Sequence, residues 1–119
     1  MNGRQPLLEL ESLPDPGSIA LEIERHGQRL AIVVIRHQGH VHGYLNDCPH
    51  LGTPLDWVPG EVLDRDGQYI VCATHGARFR IHDGHCISGP CLGDRLTPVP
   101  LRVGNGRIYL DSPPDMPEE

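Results

Sequence analysis

Cys48-Pro49-His50-Leu51-Gly52 and Cys72-Ala73-Thr74-His75-Gly76 decide the reading of this chain. Each stretch offers one thiol and one imidazole, and 21 residues separate His50 from Cys72. Two such mixed blocks supply what a [2Fe–2S] cluster needs when two Cys hold one iron and two His the other. The same four side chains would also satisfy tetrahedral zinc. Classical zinc fingers, however, group cysteines in one block and histidines in the other. Gly52 and Gly76 let the backbone bend tightly beside a bulky group.

Outward from these blocks the chain reads as β-structure. Twelve prolines and fourteen glycines break 119 residues into short pieces and argue against long helices. Gly17 to Glu24 alternates apolar and polar residues, as a half-buried strand does. Leu30 to Ile35 is β-branched and almost wholly apolar, which predicts a strand covered on both faces. Gly27 and Gln28 mark a hairpin between them. Further strands are predicted at Val41–Leu45, Tyr69–Cys72, Arg78–Ile81, Leu96–Val103 and Arg107–Leu110. Gly104-Asn105-Gly106 is a tight-turn signal and Asp64-Arg65-Asp66-Gly67 a hairpin tip. Short strands at this spacing predict an all-β fold, an antiparallel β-sandwich or barrel whose strand ends carry the ligand loops.

Length and charge bound the function. At 119 residues the chain predicts one domain that can bury a core without a metal staple. The net charge of −6 comes from 10 basic and 16 acidic residues. Asp111, Asp115, Glu118 and Glu119 lie in the last nine residues, so the remainder carries 10 minus 12, or −2. With no basic stripe to neutralise phosphates, nucleic acid is not an expected partner. Residues 1–110 are expected to form the domain and residues 111–119 a disordered acidic, proline-rich tail. No apolar run reaches the ~18 residues of a membrane span, and the N-terminal stretch lacks an apolar signal core. A cytoplasmic protein without membrane association is the expectation. Cys86 and Cys91 are then expected to be free thiols rather than a disulfide. His26, His37, His40, His42, His82 and His85 read as surface or turn histidines. The i, i+2 pair His40 and His42 shares one face of a strand without an evident partner block. Trp57 is expected to pack over the first loop. Arg78 and Arg80 read as a solvated strand face, with a docking patch as the alternative.

The blocks and their surroundings resemble the Rieske iron–sulfur family. Cys48 through Leu55 is similar to that family's first cluster loop, and Cys72 through Phe79 to its second. Gly84 with Ser88-Gly89-Pro90 resembles the third, proline-bearing loop, and Leu96-Thr97-Pro98-Val99 the return strand. The resemblance runs from about Leu7 to Leu110 and implies an antiparallel β-core with a small loop-rich cluster-binding subdomain. It implies one [2Fe–2S] cluster per chain, with Cys48 and Cys72 on the buried iron and His50 and His75 on the outer one. High-potential members carry a serine and a tyrosine where this chain has Ala77 and Phe79. They also carry a loop–loop disulfide where it has Thr53 and Thr74. A potential toward the low end of roughly −150 to +300 mV follows. The implied role is a soluble one-electron carrier, not itself an enzyme. It would take electrons from a reductase, expected to be flavin-dependent, and pass them to a terminal oxygenase or similar enzyme. The alternative is a small Rieske subunit of a complex such as nitrite reductase or a ring-hydroxylating oxygenase.

Overall fold

Nine strands and one short 3-10 turn make three antiparallel sheets of three strands each among the described residues. The computed structural model describes residues 6–25, 27–49, 54–56, 58–72 and 76–111. The central sheet is β2 (Gly17–Arg25), β3 (Gln28–His37) and β4 (His40–Leu45), joined as consecutive hairpins. A second sheet pairs β1 (Leu8–Glu9), β9 (Arg107–Leu110) and β8 (Leu101–Gly104) in that order. The third sheet is β5 (Tyr69–Val71), β6 (Arg78–Arg80) and β7 (Cys86–Ser88). Among the described residues no helix is long and apolar enough to cross a membrane.

β3 organises the molecule. Ile32, Val33, Val34 and Ile35 are all fully buried. Because successive strand side chains point to opposite faces, Ile32 and Val34 enter one core while Val33 and Ile35 enter another. The first core lies toward β1, β8 and β9, with Leu13, Ile23, Val99 and Ile108. The second lies toward the third sheet and holds Phe79, Ile70, Leu55, Leu96 and all four cysteines. The continuous apolar run thus marks a strand shared by two cores. β2 keeps the expected half-buried alternation, with Ile19, Leu21 and Ile23 against the first core.

Several strand boundaries differ from the sequence reading, each for a local reason. Gln28 belongs to β3 and pairs with Arg25, so it lies in the ladder rather than in the expected turn. Leu96–Val103 is not one strand; only Leu101–Gly104 joins the ladder. Pro98 and Pro100 have no N–H to give a ladder, and Pro98 makes only an isolated bridge with Tyr44. β1 and β7 were not expected. β7 is three residues long, and its register shifts where it meets Arg78 and Phe79. The tight turns are as read. Asn105 and Gly106 have φ of 53° and 75° and join residues paired as Gly104 with Arg107. Asp64 closes its turn by accepting from Gln68 N–H at 2.8 Å, while Gly67 N–H donates to Asp64 C=O at 2.9 Å. At the far end Asp111 N–H still donates to Pro100 C=O at 2.9 Å; the rest of the expected tail lies outside the described residues.

Candidate metal centre

The two cysteines of the ligand blocks sit at the roots of two loops that leave different sheets. β4 delivers Cys48 through Asn46 and Asp47, and β5 delivers Cys72 directly. Both cysteines are fully buried and belong to the same core cluster. Their sulfurs therefore lie in the protein interior. His50 and His75 lie outside the described residues, as do Leu51, Gly52, Thr53, Trp57 and Thr74.

The loop necks show how the chain fixes these positions. In the second loop, Cys72 N–H donates to Ala77 C=O at 2.9 Å, and Gly76 N–H donates to Cys72 C=O at 2.8 Å. These bonds continue the β5–β6 ladder past its last pair, Val71 with Arg78. In the first loop the clamp is a side chain. Asn46 Oδ1 accepts from Leu55 N–H at 2.6 Å, and Asn46 Nδ2 donates to Asp56 Oδ1 at 3.1 Å. One amide thus ties the strand end to the residues where the loop returns. Burial opposes ionisation of Asp56, but hydrogen bonds from Gly60 N–H and Asn46 outweigh it and hold the carboxyl below its usual range. The sequence reading passed over Asn46 and Asp56. The available signal was an Asn two residues before a ligand, where a side-chain amide can replace a backbone turn bond.

The third loop packs onto the second at Gly89. Its φ is +100°, and a Cβ placed there would lie 2.7 Å from Ala77 Cα and 3.0 Å from Ala77 Cβ. Such distances leave no room for any side chain, so the loop stays seated only with glycine at this point. Further along, Cys86 N–H donates to Asp94 C=O and Asp94 N–H to Cys91 C=O, at 2.9 and 2.8 Å. This fold-back brings the Cys86 and Cys91 sulfurs to 3.5 Å. Among the described residues there is no disulfide, in line with the expectation of thiols. Burial first, then the neighbouring Cys86 and Cys48 thiols, push the Cys91 thiol well above its usual range. The thiol pair is thus adjacent to Cys48, a placement the sequence spacing did not reveal.

Tyr44 locks the core beneath. Its ring is buried, and its hydroxyl donates to Ile81 C=O at 2.6 Å. Burial, reinforced by the negative charge of Asp83, raises its pKa to about 12. Asp83 in turn receives two bonds from Arg80, at 3.1 and 2.8 Å, and one from His85 N–H at 3.0 Å. The Arg80 bond is the main cause that brings the Asp83 carboxyl down to about 2. Arg78 reaches Asp64 at 3.3 Å and lies 5.7 Å from the Tyr69 ring centroid. Both arginines therefore have carboxylate partners, as a solvated strand face does, rather than standing as unpaired docking charges.

The donor set suits an iron–sulfur group. Two buried thiols, at the roots of two loops held at their necks, can grip one side of a compact cofactor in a dry environment. Comparison with known proteins gives the family. The Rieske [2Fe-2S] domain matches residues 3–103. The chain belongs to the Rieske [2Fe-2S] family. Membership implies a [2Fe–2S] cluster, and the buried positions of Cys48 and Cys72 fit one.

Solved Rieske structures share the fold. Sphingomonas yanoikuyae B1 ferredoxin is similar over 93% of this chain and 100% of its own, with a TM-score of 0.69 and 23% identity. The ferredoxin of carbazole 1,9a-dioxygenase from Nocardioides aromaticivorans IC177 is similar over 90% of this chain and 95% of its own, with a TM-score of 0.68 and 20% identity. The terminal oxygenase of carbazole 1,9a-dioxygenase from Novosphingobium sp. KA1 is similar over 95% of this chain but only 30% of its own, with a TM-score of 0.74 and 22% identity. No protein in a search of curated sequences matches.

Proposed function

We propose that this chain is a one-electron carrier built on a single [2Fe–2S] cluster held by Cys48, His50, Cys72 and His75. The observation that carries the reading is the joint burial of Cys48 and Cys72 in one core cluster, within a chain matched to the family from residue 3 to 103. When bound, the cluster supplies reversible uptake of one electron at a potential above that of all-cysteine clusters. The protein's own residues do the rest. Cys48 and Cys72 offer thiolates from the dry side. Asn46 and the Cys72–Ala77 ladder hold the loops at fixed spacing, and Gly89 lets the third loop close over the second. Ala77 and Phe79 are both fully buried and bring no hydroxyl. Reduced clusters are more negative and gain from hydrogen bonds to sulfur, so a potential toward the low end of the family range follows. Leu92 on the third loop is 67% exposed and Ile87 on β7 36% exposed, an apolar rim for transient docking. The donor is a reductase, flavin-dependent in this reading, and the acceptor a terminal oxygenase or similar enzyme. Catalysis then resides in those partners.

The test starts with anaerobically purified protein. Equal iron and acid-labile sulfide are expected, with a reduced EPR signal of lower average g than all-cysteine clusters give. A low midpoint potential and reduction by a flavin-dependent reductase complete the expected result. Colourless material without sulfide, even after reconstitution, would overturn it. The similarity to less than a third of an oxygenase chain favours one second reading, a small subunit of a larger oxidoreductase. Stoichiometric co-purification with a large subunit would select that reading, and an isolated monomer the carrier.

A further inference from the structure

A second concentration of imidazoles lies at the β3–β4 hairpin, at the opposite end of β4 from Asn46 and Cys48. His37 and His40 are directly paired in the ladder, so their side chains leave the same face. His42, two residues on, shares that face, and its ring centroid is 6.4 Å from that of His40. His82, in the turn after β6, approaches from the third sheet. The four rings line one cavity of about 320 Å³ together with Tyr69 and Arg80.

The chemistry left open in this cavity is that of imidazole nitrogen donors. Arg80 is not available to an anion, because both of its bonds go to Asp83. His82 Nε2 also lies 3.6 Å from that carboxylate. His37 Nε2 is buried and has no hydrogen-bond partner among the described residues, which leaves a nitrogen in need of one. His42 sits close enough to His40, His37 and His82 that each disfavours its protonated form, after burial itself. Several imidazoles with an acidic group at the rim suit the borderline-soft divalent ions of the late first row.

We propose that this cavity binds one zinc-class divalent ion, anchored by His40 and His42 and completed by His37 and His82. Among the described residues no three donor side chains already surround one point. Two rings sharing an ion at ~2.1 Å would have centroids roughly 5 Å apart, so the His40 and His42 rings would turn and close from their present 6.4 Å to share one. The His82 side chain is 71% exposed and can turn inward. A bound ion would tie the central sheet to the sheet that carries Cys72, and would therefore stabilise the fold beneath the second loop.

The experiment is calorimetric titration of untagged, cluster-loaded full-length protein with zinc chloride near neutral pH, with the visible absorbance of the iron centre followed throughout. One zinc per chain is expected, with unchanged absorbance. His40→Ala and His42→Ala should each weaken binding by about tenfold or more, and the double variant should abolish it. His85→Ala, outside the cavity, should bind as the parent does. Zinc should raise the melting temperature of the parent and of His85→Ala but not that of the double variant, with circular dichroism confirming that each variant is folded. Three results would overturn the site: no saturable binding, binding that survives the double variant, or loss of iron absorbance in step with zinc uptake.

Discussion

Gly89→Ala tests whether the third loop is seated on the second. Two costs are expected. A φ of +100° is unfavourable for any residue with a Cβ, at about 1–2 kcal/mol. The new Cβ would also stand 2.7 Å from Ala77 Cα, roughly 1 Å inside the usual carbon–carbon contact. The obstacle is backbone, which cannot swing aside, so overpacking adds about 1–3 kcal/mol. Gly93→Ala isolates the first cost, so the difference between the two variants gives the second. Gly93 has a φ of +95°, but nothing lies within 4 Å of the Cβ it would gain. Its expected cost is the backbone part alone, about 1–2 kcal/mol. The alanine's smaller unfolded-state entropy offsets both variants alike, by about 0.4–1 kcal/mol. Urea unfolding followed by circular dichroism gives the two stabilities, with iron absorbance recorded in parallel. Gly89→Ala should be the less stable by about 1–3 kcal/mol and should lose iron absorbance at lower urea. Values within about 0.5 kcal/mol of each other, with equal iron retention, would refute the contact between the loops.

Asn46→Ala removes both clamps on the first loop and leaves Leu55 N–H without its partner. A loss of about 1–3 kcal/mol is expected, together with faster iron release to a chelator. Tyr44→Phe keeps the ring but orphans Ile81 C=O, at about 1–3 kcal/mol by urea titration. Because folding raises the Tyr44 pKa, its contribution is whole below pH 10 and disappears as pH rises through about 12. The parent should therefore lose its advantage over Tyr44→Phe across that alkaline window. Asp83 has the opposite sign. Its carboxyl is depressed to about 2, so its stabilisation holds above 3.8 and fades as pH falls toward 2. Parent and Asp83→Asn should converge there in acid unfolding. Cys86→Ala and Cys91→Ala should keep iron, sulfide and the EPR signal, whereas Cys48→Ala should lose them. Loss of iron in all three would place the thiol pair among the ligands.

How far the sequence could be read depended on the range of the forces involved. Leu30 to Ile35 declared a doubly covered strand because an apolar run cannot face water on either side, and Ile32 to Ile35 are buried in full. The structure divides them between two cores, which the run alone could not specify. Asn105-Gly106 declared a turn because positive φ is a local demand. By contrast, β7 was invisible: Cys86-Ile87-Ser88 has no run or alternation long enough to register, and it pairs only because the return toward Asp94 holds it against β6. The prolines at 98 and 100 were read through as part of one strand, although a missing N–H is the plainest of local signals. At the site, the mixed blocks singled out Cys48 and Cys72, and the structure buries both in one core. What fixes them was not announced, because Asn46 reaching Leu55, Gly89 meeting Ala77 and Tyr44 reaching Ile81 are contacts across the fold.

Those contacts share a property that bears on function. None belongs to a proposed ligand, yet each fastens a segment adjoining one. Asn46 closes the first loop from its strand end, Gly89 presses the third loop onto the residue just past Gly76, and Tyr44 holds the turn from which the third loop starts. A carrier that exchanges one electron gains if its ligands move little between oxidation states, since displaced atoms add to the barrier for transfer. Loops pinned at their roots meet that need without adding groups that compete for the metal. The same arrangement couples metal retention to the stability of the scaffold. Disturbing Asn46 or Gly89 should release iron before the sheets unfold, whereas disturbing the core of β3, at Ile32 or Val34, should release both together.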